Sequence, residues 1–162
     1  MLLDKNQQAF FELLRGGLWE EDARLSQYKD IDFSAIMRLA EEQSVVGLVA
    51  AGIEHAMDVK VPQQWALQFA GQAIHLEQRN KAMNAFIADL IEKLRKEDIY
   101  AILVKGQGIA QCYEKPLWRS PGDVDLLLSE SNYERAKDFL TPLATDLETE
   151  YTHFKHQGMT VD

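Results

Sequence analysis

The chain has 162 residues, of which 46% are hydrophobic and 27% charged, as in a globular domain and unlike a disordered or fibrous chain. Its formal net charge of −9 argues against a broad nucleic-acid-binding surface, because phosphate neutralisation requires clustered lysine and arginine. The longest apolar run, residues 45–53, is too short to cross a bilayer and the N-terminus lacks a secretory signal, so we expect a cytoplasmic protein with no membrane partner.

Helical spacing of apolar residues marks the first part of the chain. Phe10, Leu13 and Leu14 predict a first helix, and the adjacent Gly16 and Gly17 are expected to end it. Downstream, either Asp32 or Ser34 is suited to cap a second helix. Residues 44–56 predict a third, shorter and more apolar helix.

A long helix is predicted to follow Pro62, because proline is favoured in the first helical turn. It extends to about Lys96, and its second half carries an apolar stripe at helical spacing, formed by Met83, Phe86, Ile87, Leu90, Ile91 and Leu94. Such a stripe is typical of core packing. We therefore predict a helical region over residues 1–97.

Strand patterns begin after Asp98. Residues 99–104, IYAILV, predict a buried strand that ends at a glycine-rich turn at 105–108. Residues 108–115 then predict a short helix. The sequence DVDLLL, residues 123–128, predicts a second strand.

The rest of the chain predicts one more helix and two more strands. Ser129 or Ser131 is suited to cap a helix that extends to Leu140. A third strand is expected over about 147–154, and a turn from His156 leads into a fourth over 159–162. Because the chain stops within a strand pattern, we expect an N-terminal fragment of a longer protein. The overall prediction is an α+β fold, with the helical region packed on a mixed β-sheet with flanking helices at 98–162.

Two carboxylates stand at the start of the second predicted strand. Successive strand side chains alternate between faces, so Asp123 and Asp125 point one way while Val124 and Leu126 point the other. Carboxylates this close can share a divalent cation, and Mg²⁺ is typically held by one or two carboxylates together with substrate phosphates. The alternative is a solvated acidic pair without a ligand.

The glycine-rich turn and a loop arginine supply the complementary charge. Lys105, Gly106, Gln107 and Gly108 follow a strand and open a helix, so their backbone N–H groups and the lysine ammonium are suited to a phosphate. Arg119 is suited to clamp a phosphate with two hydrogen bonds. The alternatives are a turn that uses glycine for its backbone conformation and an ordinary surface arginine.

The order of these motifs resembles a known family. KGQGIAQCY, then Arg119, then GDVDLLL is similar to the signature of the uncharacterised nucleotidyltransferase family, within the polymerase-beta-like nucleotidyltransferase superfamily. The segment LAEEQSVVGLVAAGI and the long helix before DIYAILVKG also resemble this family's N-terminal region. The resemblance therefore covers most of the chain and is strongest over residues 103–128.

The resemblance implies a nucleotidyltransferase-type sheet and metal-dependent transfer of a nucleotidyl group from an NTP. It also implies a third carboxylate on a later strand, for which Asp162 is the candidate. Two Mg²⁺ ions, or Mn²⁺, would bind between Asp123 and Asp125, and Asp162 would deprotonate or orient the acceptor hydroxyl. The acceptor stays open among small molecules, carbohydrates, peptides, proteins and RNA.

Two alternative functions are consistent with the same residues. The first is a catalytically inactive binding protein of this fold, or a toxin-antitoxin-type component. The second is a glycosyltransferase that uses Asp-x-Asp to hold its metal. In that class the pair usually follows an apolar strand, whereas here it begins one, and the Lys105-Gly106 turn would have no role.

Overall fold

A run of helices precedes the first strand, and further helices lie between the strands, which confirms the predicted α+β class. The structure is a computed structural model that describes residues 3–144, 146–148, 153–156 and 159–162. The chain forms two compact units: Met1–Gln78 together with Cys112–Ser120, and Arg79–Gln111 together with Pro121–Asp162. The predicted domain division at residue 97 stays a prediction, because compactness within one chain does not establish which segments fold independently.

The secondary-structure elements follow in chain order. The helices are α1 Lys5–Trp19, α2 Phe33–Glu42, α3 Val46–Glu54, α4 Gln63–Lys96, α5 Gly106–Ala110 and α6 Glu130–Leu140. The strands are β1 Ala101–Val104, β2 Asp125–Leu128, β3 Asp146–Glu148, β4 His153–His156 and β5 Met159–Val161. Short 3₁₀ turns occupy Pro116–Trp118 and Thr141–Leu143. Within the described ranges, no helix is both long and apolar enough to span a membrane.

In the first unit, α1 and α3 cross at glycines. A Cβ atom added to Gly17 would overlap the Leu48 carbonyl oxygen, and one added to Gly52 would overlap that of Leu13. The prediction that Gly16 and Gly17 end α1 is therefore wrong. The pair lies inside the helix. Gly17 allows the close contact with α3, and a Cβ atom on Gly16 would lie only 3.0 Å from the Glu21 carbonyl oxygen and from Ala23 Cβ. These tertiary contacts outweigh the low helix propensity of glycine.

Helix α1 ends later, at a residue in the left-handed conformation. Glu20 has a φ of 52° and its backbone N–H donates to the Gly16 carbonyl, which closes the last turn. The cap predicted for α2 is confirmed at Asp32, whose carboxylate accepts hydrogen bonds from the backbone N–H groups of Ser34 and Ala35. These local signals set the helix ends, while the glycine contact sets how closely the helices pack.

In the second unit, β2 has neighbours on both edges. Along one edge it pairs antiparallel with β1, with Val104 opposite Asp125. Along the other, Val124 forms a parallel bridge with Val161, which connects to the antiparallel sheet β3-β4-β5. The described backbone therefore places the start of β2 beside the end of β5.

Two predicted elements after β1 differ from the structure. The helix predicted over 108–115 is instead the shorter α5, which begins earlier, at Gly106, and ends at Ala110. Lys115 is non-helical, as expected for a residue that precedes a proline. The single strand predicted over about 147–154 is wrong, because β3 and β4 pair antiparallel and so run in opposite directions. Alternating polarity does not reveal such a reversal. Residues 149–152 lie outside the described residues, as do Gln157 and Gly158 of the predicted turn.

Other predictions for this unit are confirmed. Helix α4 extends to Lys96, Ser129 caps α6, and β5 lies where the fourth strand was expected. The stripe on α4 lies in a core with the back of the sheet, formed by Met83, Phe86, Ile87, Leu90, Leu94, Val124 and Val161. Because Val124 points into this core, its neighbours Asp123 and Asp125 point away from it.

Candidate functional site

Three aspartates converge where β2 begins and β5 ends. Asp123, Asp125 and Asp162 each offer a carboxylate oxygen, and these oxygens all lie within 4.8 Å of one another. Asp123 is exposed, while Asp125 and Asp162 are partly buried. The structure thus brings together the three carboxylates named from the sequence, which we call the aspartate cluster.

Backbone pairing between two distant segments forms this cluster. The Val124 N–H donates to the Thr160 carbonyl at 2.9 Å, and the Asp162 N–H donates to the Val124 carbonyl at 2.9 Å. The Leu126 N–H donates in turn to the Asp162 carbonyl at 2.8 Å. Val124 and Val161 are both buried, and this apolar anchoring fixes the register that brings Asp162 beside Asp125.

A lysine supplies positive charge to the aspartate cluster. Lys105 Nζ donates a hydrogen bond to Asp125 Oδ1 at 2.8 Å, although the lysine side chain is 73% exposed and that of Asp125 only 12%. The pKa of Lys105 lies above its ordinary value, chiefly because of this hydrogen bond, with further contributions from the charges of the cluster. The ammonium therefore stays protonated beside the carboxylates at neutral pH.

The 105–108 turn is adjacent to the aspartate strand. Gly106 has a φ of +31°, and a Cβ atom added to it would lie 3.4 Å from the Asp123 carbonyl oxygen. A Cβ on Gly108 would lie 3.2 Å from the Leu103 carbonyl oxygen, tighter than most real Cβ contacts. Both glycines thus allow the turn to lie close to the end of β1 and the start of β2. There its backbone N–H groups could contact a phosphate near the aspartate cluster.

The side chain of Gln107 is buried away from solvent. Its Nε2 donates hydrogen bonds to Asn80 Oδ1 and Asn84 Oδ1, both at 2.9 Å. This leaves the backbone of Gln107 as the part suited to the predicted phosphate contact. Sequence reasoning missed Asn80 and Asn84. Their spacing of four residues places them on one side of α4 but does not show whether they are buried.

Arg119 belongs to the first compact unit, with Cys112–Ser120. Its Nη1 donates to the Ser120 carbonyl at 3.0 Å. Its predicted phosphate contact stays a prediction.

The donor set of the aspartate cluster suits a hard divalent cation. Its ligand atoms are carboxylate oxygens, the donors that Mg²⁺ and Mn²⁺ prefer, and the described residues bring no cysteine into the cluster. Three carboxylates within one ion's reach repel one another, and the single ammonium of Lys105 offsets only part of that charge. A bound divalent cation would offset more of it.

Comparison with known proteins gives one match. A family model described as an uncharacterised nucleotidyltransferase matches residues 29–162, which include the aspartate cluster and the 105–108 turn. No curated protein and no solved structure matches the chain significantly.

Proposed function

Because this chain belongs to the uncharacterised nucleotidyltransferase family, we propose that it transfers a nucleotidyl group from an NTP to an acceptor in a reaction dependent on Mg²⁺ or Mn²⁺. The observation that carries this proposal is the convergence of Asp123, Asp125 and Asp162 next to Lys105. A triphosphate with its bound metal requires carboxylates that hold the metal and a positively charged side chain that holds the phosphates.

The aspartate cluster is the proposed metal site. Asp123 and Asp125 would hold the cation from β2, and Asp162 would complete the set from the end of β5. A bound divalent cation supplies charge stabilisation for the attacking and leaving oxygens of an in-line displacement. The carboxylates of the chain fix where this charge is placed.

Lys105 is the proposed phosphate-binding cation. Its ammonium is largely exposed and already lies at the cluster, so it can contact a phosphate oxygen without a change in the fold. The backbone N–H groups of Gly106, Gln107 and Gly108 would add hydrogen bonds, and Arg119 is proposed as a further phosphate ligand. These groups orient the triphosphate, and positioning and electrostatics account for most of the catalysis expected in such transfers.

Asp162 is proposed to act on the acceptor as well. Its carboxylate would accept a hydrogen bond from the acceptor hydroxyl and take the proton at one Oδ atom as the new bond to phosphorus forms. The hydroxyl oxygen attacks the α-phosphorus, the bond to the bridging oxygen breaks, and pyrophosphate leaves with the electron pair. The same bonds form and break for any acceptor that carries a hydroxyl group.

The test is transfer and binding with wild type and the double variant Asp123→Asn/Asp125→Asn. Each labelled NTP is incubated with Mg²⁺ and a cell extract, and binding of Mn²⁺·ATP is measured separately by calorimetry. We expect label transfer by the wild type alone and loss of Mn²⁺·ATP binding in the double variant.

Three outcomes would separate the alternatives. Equal transfer by wild type and double variant would overturn the metal assignment. Binding without transfer to any acceptor would favour a catalytically inactive binding protein. Transfer of the sugar from labelled nucleotide sugars, in place of a nucleotidyl group, would favour a glycosyltransferase.

A further inference from the structure

Lys105 has an unusual backbone conformation for a residue with a side chain. Its φ is 52° and its ψ is −148°, a combination close to the region that is populated almost only by glycine. Such conformations persist when the surrounding structure determines them, and they concentrate at functional sites. The question is which contacts hold Lys105 in place.

The Gln107 side chain is a fixed point two residues further along. It is only 6% exposed, and the Asn80 side chain that accepts one of its hydrogen bonds is fully buried. Asn84 accepts the second hydrogen bond from the same amide nitrogen. A buried amide that donates twice to one helix has little freedom, because moving it away from both acceptors would leave its buried N–H groups unpaired.

Backbone contacts hold the turn as well. The Ile109 N–H donates to the Lys105 carbonyl at 3.0 Å, which closes the turn behind the residue. Val104, immediately before it, pairs with Asp125 in the sheet. The chain is thus held by β1 on one side of Lys105 and by the Gln107 amide on the other.

We propose that Gln107 is a positioning residue: its amide, bound by Asn80 and Asn84 of α4, holds the turn so that Lys105 adopts its strained backbone conformation and directs its ammonium at the aspartate cluster. This role extends the proposed function and rests on it for its effect on nucleotide binding. The effect on the Lys105 backbone is independent of any activity.

The first experiment measures the backbone effect through thermal stability. Lys105→Gly and Lys105→Met both remove the ammonium, but glycine alone relieves the strain at positive φ. With Gln107 present, we expect the glycine variant to melt higher than the methionine variant by about 2–6 °C. In a Gln107→Met background this gap is expected to fall by at least half, because the turn can relax. An unchanged gap would overturn the proposal.

The second experiment measures ligand binding by calorimetry. Gln107→Met is expected to weaken Mn²⁺·ATP binding about tenfold, the loss of one charge-assisted contact. Binding of Mn²⁺ alone is expected to tighten by up to about three- to fivefold, because the misdirected ammonium no longer competes for Asp125. If wild type and Asp123→Asn/Asp125→Asn bind Mn²⁺·ATP equally, the proposed function fails, and the melting comparison alone decides the role of Gln107. If the double aspartate variant loses Mn²⁺·ATP binding but Gln107→Met binds Mn²⁺·ATP as tightly as wild type, the positioning role is wrong.

A matched pair on α4 guards against simple unfolding of the Gln107 variant. Asn84→Asp keeps an oxygen that can accept from Gln107 Nε2, whereas Asn84→Leu removes it. We expect the aspartate variant to bind Mn²⁺·ATP within about twofold of wild type and the leucine variant to bind several times more weakly. Equal binding by both variants would contradict the inference.

Discussion

At the scale of single residues, Lys105 and a divalent cation would compete for the same carboxylate, that of Asp125. The ammonium is bound to Asp125, and Asp125 is one of the three carboxylates suited to the metal. Because the lysine end of this ion pair is 73% exposed, water and salt screen the pair and its contribution to stability is small. In the proposed function this charge acts on ligand binding, where it would oppose a cation and attract a phosphate.

Replacing this lysine should separate the two effects. Lys105→Met is expected to tighten binding of Mn²⁺ alone by about three- to fivefold, because a competing positive charge is removed from Asp125. It is expected to weaken Mn²⁺·ATP binding about tenfold, because the phosphate contact is lost. Both affinities can be measured by isothermal titration calorimetry.

A control with the same change in charge is available on α4. Lys96 pairs with Glu92 at 2.8 Å, and its side chain is also largely exposed. Lys96→Met should leave both affinities within about twofold of wild type, since its charge lies in another ion pair. Equal changes in the two variants would mean that net charge, and not the position of Lys105, determines binding.

At the scale of elements, the contact between α1 and α3 depends on residues that lack side chains. Sequence reasoning treated the glycines of α1 as a stop, because local propensity is the information that a short window contains. Close packing on Leu48 and Gly52 is a tertiary requirement, and it appears only when both helices are in place. Local signals did succeed at Asp32 and Ser129, where the capping hydrogen bond is itself local.

A pair of alanine substitutions tests the helix contact. Gly17→Ala should lower the free energy of unfolding by about 1–3 kcal/mol, because the added methyl group overlaps the Leu48 carbonyl. Gly71→Ala in α4 should raise it by about 0.5–1 kcal/mol, because nothing lies within 4 Å of the added atom and alanine favours a helix. Urea unfolding measures both, and a Gly17→Ala variant as stable as Gly71→Ala would show that the added methyl group is tolerated and the α1-α3 contact is not close at Gly17.

At the scale of the whole molecule, the convergence of the three aspartates was easier to predict than the arrangement of the strands. Asp123 and Asp125 could be assigned to one face because strand alternation is a local rule. Asp162 was named only through a family resemblance, since no local pattern links residues 125 and 162. The Asn80 and Asn84 contacts were missed because a buried asparagine and an exposed one look alike without the fold.

Charge within the aspartate cluster should affect the stability of the protein. Asp162→Asn is expected to raise the melting temperature in EDTA slightly, because it removes one of three mutually repelling carboxylates. It is also expected to weaken Mn²⁺ binding, so that the rise in melting temperature on adding Mn²⁺ becomes smaller. Differential scanning fluorimetry with and without Mn²⁺ gives both values.

Asp138→Asn provides the comparison, because Asp138 is an exposed residue of α6 and the change in net charge is the same. We expect its melting temperature to respond to Mn²⁺ as wild type does. If Asp162→Asn responds to Mn²⁺ as fully as Asp138→Asn, then Asp162 is not a metal ligand.

The parallel bridge between Val124 and Val161 also determines when, during synthesis, the complete aspartate cluster can form. The ribosome adds Asp123 and Asp125 well before Asp162, and bringing such distant segments together costs more chain entropy than a local turn does. A nascent chain that has β2 but not β5 carries two of the three carboxylates. With the proposed metal site, full cation affinity would require β5 to dock, so a chain that stops before β5 would hold the metal weakly.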